Sequence, residues 1–288
     1  MTRYTYALAV AALSLCMASN THAHGFAGNR FFPGTIAVED PAVADELALP
    51  AASFQDDEAE YEIEWGKRIT PNFGVSIGGA WVDGEDAQGW SNLSTGLKYQ
   101  FLTSAETETI LAAGVEVEWG GTGDADIAED TTTISPTFYF GHGFGDAPEW
   151  ARPFAVTGAI GYVVPTEAHD EGGDPIPTVL EYGFTLQYSL PYLAAHVRDH
   201  GFPDWVNQLT PLVEVTLEQP VRNGGGEGVT GTVNPGVLWT GRHIQLGAEA
   251  MIPINDESGD DVGFALQLHV FLDDLFPHSL GRPIFGAR

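Results

Sequence analysis

From residue 46 onward the chain alternates between apolar and polar positions. Tyr61, Ile63 and Trp65 stand between Glu60, Glu62 and Glu64. Phe73, Val75, Ile77 and Trp81 alternate with Gly74, Ser76 and Gly78, and Leu93, Leu97, Tyr99 and Phe101 with Ser94, Gly96, Lys98 and Gln100. Leu111, Ala113, Val115, Val117 and Trp119 alternate with Gly114, Glu116 and Glu118. A period of two is the mark of a strand with one apolar face. The spacing predicts strands around 60–68, 73–82, 93–102 and 111–119, then 132–143, 152–163, 178–189, 209–219, 230–240, 243–253 and 262–272. Each is long enough for a tilted membrane strand, which needs about 9–11 residues.

The links between these segments alternate too. Short links follow the strands that end near 68, 102, 143 and 240, whereas longer acidic links fill 83–91, 120–131, 164–177, 220–229 and 254–261. Bacterial membrane barrels have short periplasmic turns and longer outer loops, so each link acquires a side. The stretch 190–208 is a long link on the short-turn side, and 193–200 reads as a small periplasmic helix. Parity adds a strand. The segment near 60–68 runs down into a short turn, so a chain that starts in the periplasm first needs an upward strand. The candidate is 46–54, with 55–58 as its outer loop; Pro50 inside it is compatible with an edge or a bulge. The expected fold is therefore all-β, a transmembrane antiparallel barrel of about twelve strands over 46–276. Residues 24–45 form a periplasmic arm or plug, and 277–288 a C-terminal tail.

Charge sorts the same way. Asp83, Glu85, Asp86, Asp124, Asp126, Glu129, Asp130, Glu171, Asp174, Asp256, Glu257, Asp260 and Asp261 fall in the outer links, while Lys67, Arg68, Arg152, Arg198 and Arg242 fall near the short turns. Trp81, Trp119 and Tyr162 sit near the outer strand ends, and Trp65, Tyr99, Tyr188 and Trp239 near the inner ones, as interfacial girdles require. The competing architecture is a soluble exported barrel or sandwich, in which the apolar face would turn inward. Strand length, loop asymmetry, and the Gly and Glu content of the polar face favour the membrane form.

The start of the chain reads as an export signal. Arg3, the apolar run 7–18 and Thr21-His22-Ala23 supply its three regions, with cleavage after Ala23. The run is too short to cross a bilayer as a helix, which takes about twenty apolar residues. Cys16, the single cysteine, lies within the removed segment; Leu15 before it does not suit a lipoprotein signal. The exported chain has no thiol, so disulfides and Cys-based sites drop out. Removing residues 1–23 takes away Arg3 and no acid, leaving 10 basic against 40 acidic residues, a net charge of −30. That excludes a nucleic-acid partner, because phosphate recognition needs a basic footprint. Disorder is excluded by a hydrophobic content of 43% with 7 Trp, 9 Tyr and 16 Phe.

His24-Gly25-Phe26-Ala27-Gly28, continued by Arg30-Phe31-Phe32-Pro33-Gly34-Thr35, and the closing Leu268-His269-Val270-Phe271-Leu272-Asp273-Asp274-Leu275-Phe276-Pro277 carry a resemblance. With the strand pattern, they resemble the uncharacterised proteobacterial outer-membrane proteins grouped near the meta-pathway phenol-degradation family. The resemblance implies an outer-membrane barrel that is a passive route for small organic molecules, with no catalytic residues. The chain departs from many such barrels in ending Phe285-Gly286-Ala287-Arg288 rather than on an aromatic residue, so Phe276 or Phe285 would have to act as the terminal assembly signal.

Facing assigns Glu60, Glu62, Glu64, Glu116, Glu118, Glu214, Glu218 and Glu249 to the lumen, with Lys98 as its one base. Carboxylates in a water-filled pore favour cations. The expected activity is a narrow channel or passive transporter for ions or small solutes, embedded in outer-membrane lipid. A non-conducting surface barrel is the alternative, and an outer-membrane lipid hydrolase a further one. A hydrolase needs a nucleophile and a His near the outer leaflet, and His142, His269 and His278 lie toward the other end. No enzyme activity and no cofactor are expected. Two histidine arrangements bear on metals: His196 and His200 at helical spacing, which read first as two polar residues on an exposed periplasmic helix, and His24, which cleavage would place at the new N-terminus beside a free amine. Gly141-His142-Gly143-Phe144-Gly145 lacks the helix of a phosphate loop and reads as a turn.

Overall fold

The computed structural model describes residues 25–286, apart from 57, 171 and 225–227. The expected signal segment, with Cys16, and His24 and Glu171 lie outside the described residues.

Twelve strands close into one antiparallel barrel: β1 (Glu46–Gln55), β2 (Glu58–Thr70), β3 (Phe73–Asp83), β4 (Leu93–Ser104), β5 (Thr109–Trp119), β6 (Thr133–Gly143), β7 (Phe154–Pro165), β8 (Thr178–Tyr188), β9 (Leu209–Arg222), β10 (Thr230–Thr240), β11 (Ile244–Pro253) and β12 (Gly263–Phe271). Each strand pairs with its sequence neighbours. The ring closes where β12 meets β1, with Phe264 opposite Phe54 and Phe271 opposite Glu46.

The predicted segments match these strands closely, including β1. Its proline is accommodated by a bulge. The register shifts between Ala48 and Ala51 against β2, and the partners of the same two residues on β12 are His269 and Gln267. Leu49 and Pro50 therefore oppose one residue on either side, so the missing N–H of Pro50 removes no ladder bond. One short strand was not anticipated. Beyond Gly78, β3 leaves β4 and pairs with Gln88–Trp90 inside the first long loop.

The links that follow β1, β3, β5, β7, β9 and β11 lie, in their described residues, at one end of the barrel, called here the loop end. The links 71–72, 105–108, 144–153, 189–208 and 241–243 lie at the opposite, basal end, together with both termini of the ring. The long basal link carries a helical turn, α1 (Leu190–Tyr192), capped by the hydroxyl of Ser189, followed by a π-helical turn, Leu193–Val197. The helix expected over 193–200 thus ends before His200. His196 packs on Tyr192 and His200 on Phe202, so the two imidazoles share no helix face.

Apolar positions of the strands project outward. Ile77, Leu97, Phe138, Leu186, Leu246 and Leu266 are all exposed on the outer surface, and no helix among the described residues is long and apolar enough to cross a membrane. The inward positions divide into two halves. In the basal half Thr157, Thr185, Gln187, Gln245 and Gln267 are buried. Toward the loop end Glu60, Glu62, Glu116 and Glu218 remain open to water. The difference is the N-terminal segment, which runs through the basal half before β1 begins.

Candidate functional site: the barrel interior

The inserted segment is held at four stations. The first is basal. A two-strand hairpin (Phe26–Ala27 with Arg30–Phe31) brings Arg30, which is fully buried, against Glu108 at 3.1 Å. The guanidinium also donates to the carbonyls of Pro153 (3.2 Å) and Arg152 and lies 3.6 Å over the ring of Tyr192. The Tyr192 hydroxyl donates to the other Glu108 oxygen at 2.7 Å. Burial pushes the Tyr192 hydroxyl up to about 12, helped by Glu108, so it remains a donor. Burial pulls Arg30 below its usual value against the opposing effect of Glu108. Gly143 and Gly145 explain the glycine run that reads as a turn: a Cβ on Gly145 would lie 2.7 Å from the Glu108 carboxyl, and one on Gly143 would collide with the ion pair. Gly141 and Gly143 themselves belong to β6 rather than to a turn.

At the second station Glu214, fully buried, accepts the backbone N–H groups of Ile36 (3.0 Å) and Ala37 (2.8 Å) and the hydroxyl of Thr185 (2.7 Å). It faces inward, where its charge anchors the segment rather than lining open water. At the third, Lys98 forms an ion pair with Glu39, donates to the carbonyl of Asp40 at 3.0 Å and sits 4.5 Å over the Tyr139 ring. Tyr139 donates to Glu39 at 2.6 Å. The lumen base is thus neutralised by an acid from the inserted segment. The fourth is Asp45, whose buried carboxylate receives Lys67 (2.5 Å), Arg68 Nε (2.7 Å) and Arg68 N–H (2.9 Å). Between the stations the wall is shaped to the segment. A Cβ on Gly183 would sit 2.7 Å from Val38, and one on Gly74 equally close to Val43. These inward glycines make room for apolar side chains.

Above the segment lies a chamber of about 650 Å³. Glu39, Glu60, Glu116, Glu118, Glu181 and Glu218 border it, and among the described residues no Lys or Arg does. Glu62 joins Glu60 around a side cavity of about 140 Å³, and Glu64 borders a small gap beside Lys98. Glu118 accepts from Asn92 at 3.1 Å, which ties the chamber rim to the loops: Asn92 also donates to the carbonyl of Glu129 at 2.8 Å. Glu249 faces inward but is buried and does not itself border the chamber.

Sequence reasoning placed all eight acids and Lys98 on the inward face, yet it missed Glu39 and Glu181. Glu181 was recoverable, since it alternates with Leu180 and Tyr182; it stands directly opposite Glu218 on β9. Glu39 lies in a segment with no strand period, so nothing local marked its direction. A hydroxyl–imidazole pair does occur at the basal end, Thr109 with His142 at 2.9 Å, with the Phe144 ring packed edge-on against the imidazole. No group of three or more His, Cys, Asp or Glu among the described residues is arranged to hold a metal ion.

No family model matches the chain, and no curated protein matches its sequence. Solved structures do share its architecture. A structure described as "KdgM porin" aligns over 78% of this chain and 98% of its own, with a TM-score of 0.51 and 9% identity. One described as "NanC porin structure in rhombohedral crystal form" aligns over the same shares, with a TM-score of 0.53 and 11% identity. At such identities the likeness is one of fold: this chain is a closed twelve-stranded antiparallel β-barrel of the kind that those porins have.

Proposed function

We propose that the chain is an outer-membrane channel for small solutes whose loop-end chamber favours cations and whose basal half is closed by residues 25–45 acting as a plug. The observation that carries this reading is the inversion of the strands: apolar side chains outside, a water-open acidic chamber inside. An exposed apolar belt of this extent needs lipid around it. The chamber charges, confined by low-dielectric walls, act on an ion far more strongly than they would in bulk water. The porin architecture supports a passive route. The resemblance to the phenol-degradation grouping extends it to small organic molecules, with anionic ones disfavoured by the chamber. In this reading the signal is cleaved after Ala23, the long loops face outward, and no catalytic role is assigned.

Planar-bilayer recording across a salt gradient is the test. The reversal potential should report cation preference, and Glu116→Gln/Glu118→Gln should move it toward zero. High salt should do the same, since screening shortens to about 3 Å at 1 M. Anion preference in the native protein would refute the lumen assignment. A second reading, a non-conducting surface barrel, is favoured by the four-point anchoring of the inserted segment; absence of current both in the native protein and after the segment is released would establish it.

A further inference from the structure

One buried acid in the wall, Glu249, has no role in the channel reading, and it lies against Glu214, an anchor of the inserted segment. Glu249 on β11 is 4% exposed, and neither of its carboxylate oxygens makes a well-formed hydrogen bond, although the Asn234 amide and the Glu214 carboxyl are within reach. Asn234 on β10 is 1% exposed, and its Oδ1 is likewise without a partner. Glu214 already accepts three donors, two of them from the inserted segment. Two carboxylates therefore meet beside the Asn234 amide, and among the described residues no Lys or Arg is set against them. Buried charge in that state is strongly unfavourable unless something positive shares the site.

We propose that Glu214, Asn234 and Glu249 bind a hard divalent cation of the Ca²⁺ type, at the point where the inserted segment crosses β9, β10 and β11. The donor chemistry fits. Hard cations take carboxylate and amide oxygens, and Ca²⁺ fills its remaining positions with water. Water is at hand, because Asn234 borders both the large chamber and the side cavity beside Ile36 and Ala37. Thr185 and the two backbone N–H groups orient Glu214 as outer partners orient a ligand. Gly236 completes the seat: it stands opposite Glu249, and a Cβ there would collide with the Glu249 side chain. The acidic chamber concentrates cations at the entrance. A bound ion would tie β10 and β11 to the carboxylate that holds the segment, so occupancy and plug retention are coupled. The site would be filled in a closed barrel as in an open one, so it does not depend on conduction.

The experiment uses the whole exported chain folded in detergent, stripped of metal with a chelator, and titrated with CaCl₂ by calorimetry in about 0.15 M salt, where weak surface association is screened. Thermal unfolding is followed in parallel, and folding of each variant is checked by its gel mobility before and after heating. One equivalent of Ca²⁺ should bind in a class distinct from loop binding and raise the unfolding temperature. Glu249→Gln should weaken that class by about tenfold or more, and Asn234→Ala, a smaller change, should weaken it in the same direction. Asp256→Asn, in an outer loop, should leave it intact. Equal Ca²⁺ binding by the native protein and Glu249→Gln would overturn the proposal. So would a folded native protein with no Ca²⁺ response, which would leave a shared proton or water between the acids.

Discussion

Replacing Arg30 with Ala should release the inserted segment while leaving the barrel wall folded. The side chain is fully buried and makes an ion pair with Glu108, two carbonyl bonds and a ring contact to Tyr192. Removing one partner of such a buried pair costs about 3–5 kcal/mol, because the other charge is left uncompensated. The loss falls on the docking of the hairpin, since the twelve strands close without it. Limited proteolysis of the folded, detergent-solubilised protein should show new cleavage within 25–45, and single-channel conductance should rise. Replacing Glu108 with Leu in the same chain should recover part of the docking by removing the stranded charge. If Arg30→Ala leaves both proteolysis and conductance unchanged, the segment is not held closed at this station.

The second large effect belongs to the outer face. Leu186 is 47% exposed on the outside of β8, while its neighbours Thr185 and Gln187 are buried inside. Arg in place of Leu186, or of Val115 on β5, should destabilise the barrel in lipid by about 2–4 kcal/mol near the bilayer midplane. Glu116→Arg, one residue from Val115 but open to the chamber, should leave folding nearly intact and instead reduce cation preference. Urea titration of folding into vesicles measures the first, and the reversal potential the second. Equal destabilisation by Val115→Arg and Glu116→Arg would show that β5 does not separate lipid from water.

The wall was legible because every strand faces two different media, and period two records that residue by residue. Even β1 could be placed by parity, although Leu49 and Pro50 break its alternation; the bulge is the physical reason that they do. The inserted segment was not legible beyond its existence. Its direction is set by distant groups, such as Glu214 on β9 and Lys98 on β4, with no repeating local pattern. Inward facing of Glu214 and Lys98 could be read, but whether water or another part of the chain meets them could not. Glycines gave an ambiguous signal for the same reason: Gly183 looks like any small polar-face residue until Val38 is seen to fill its place. The helix expected over 193–200 missed its boundary, because Arg198 leaves it in an extended conformation before His200 is reached.

Asp45 also bears on how such a chain acquires its shape. It lies just before the first strand, yet its backbone carbonyl receives the N–H groups of Leu272 and Asp273 at the start of the short helix α2 (Leu272–Leu275). Lys67, bound to its carboxylate, reaches on to the carbonyls of Leu280 and Arg282, the former 213 residues away in sequence. The seam between first and last strands thus carries its own fastening, made of residues from both ends. Loop-closure entropy makes so remote a junction the last and slowest to form. The segment that fills the basal half precedes β1, so it can be in place before the seam shuts. Assembly can then proceed as a sheet curling around a thread already captured, with Asp45 as the clasp. A threaded interior needs no later passage of 25–45 through a finished ring.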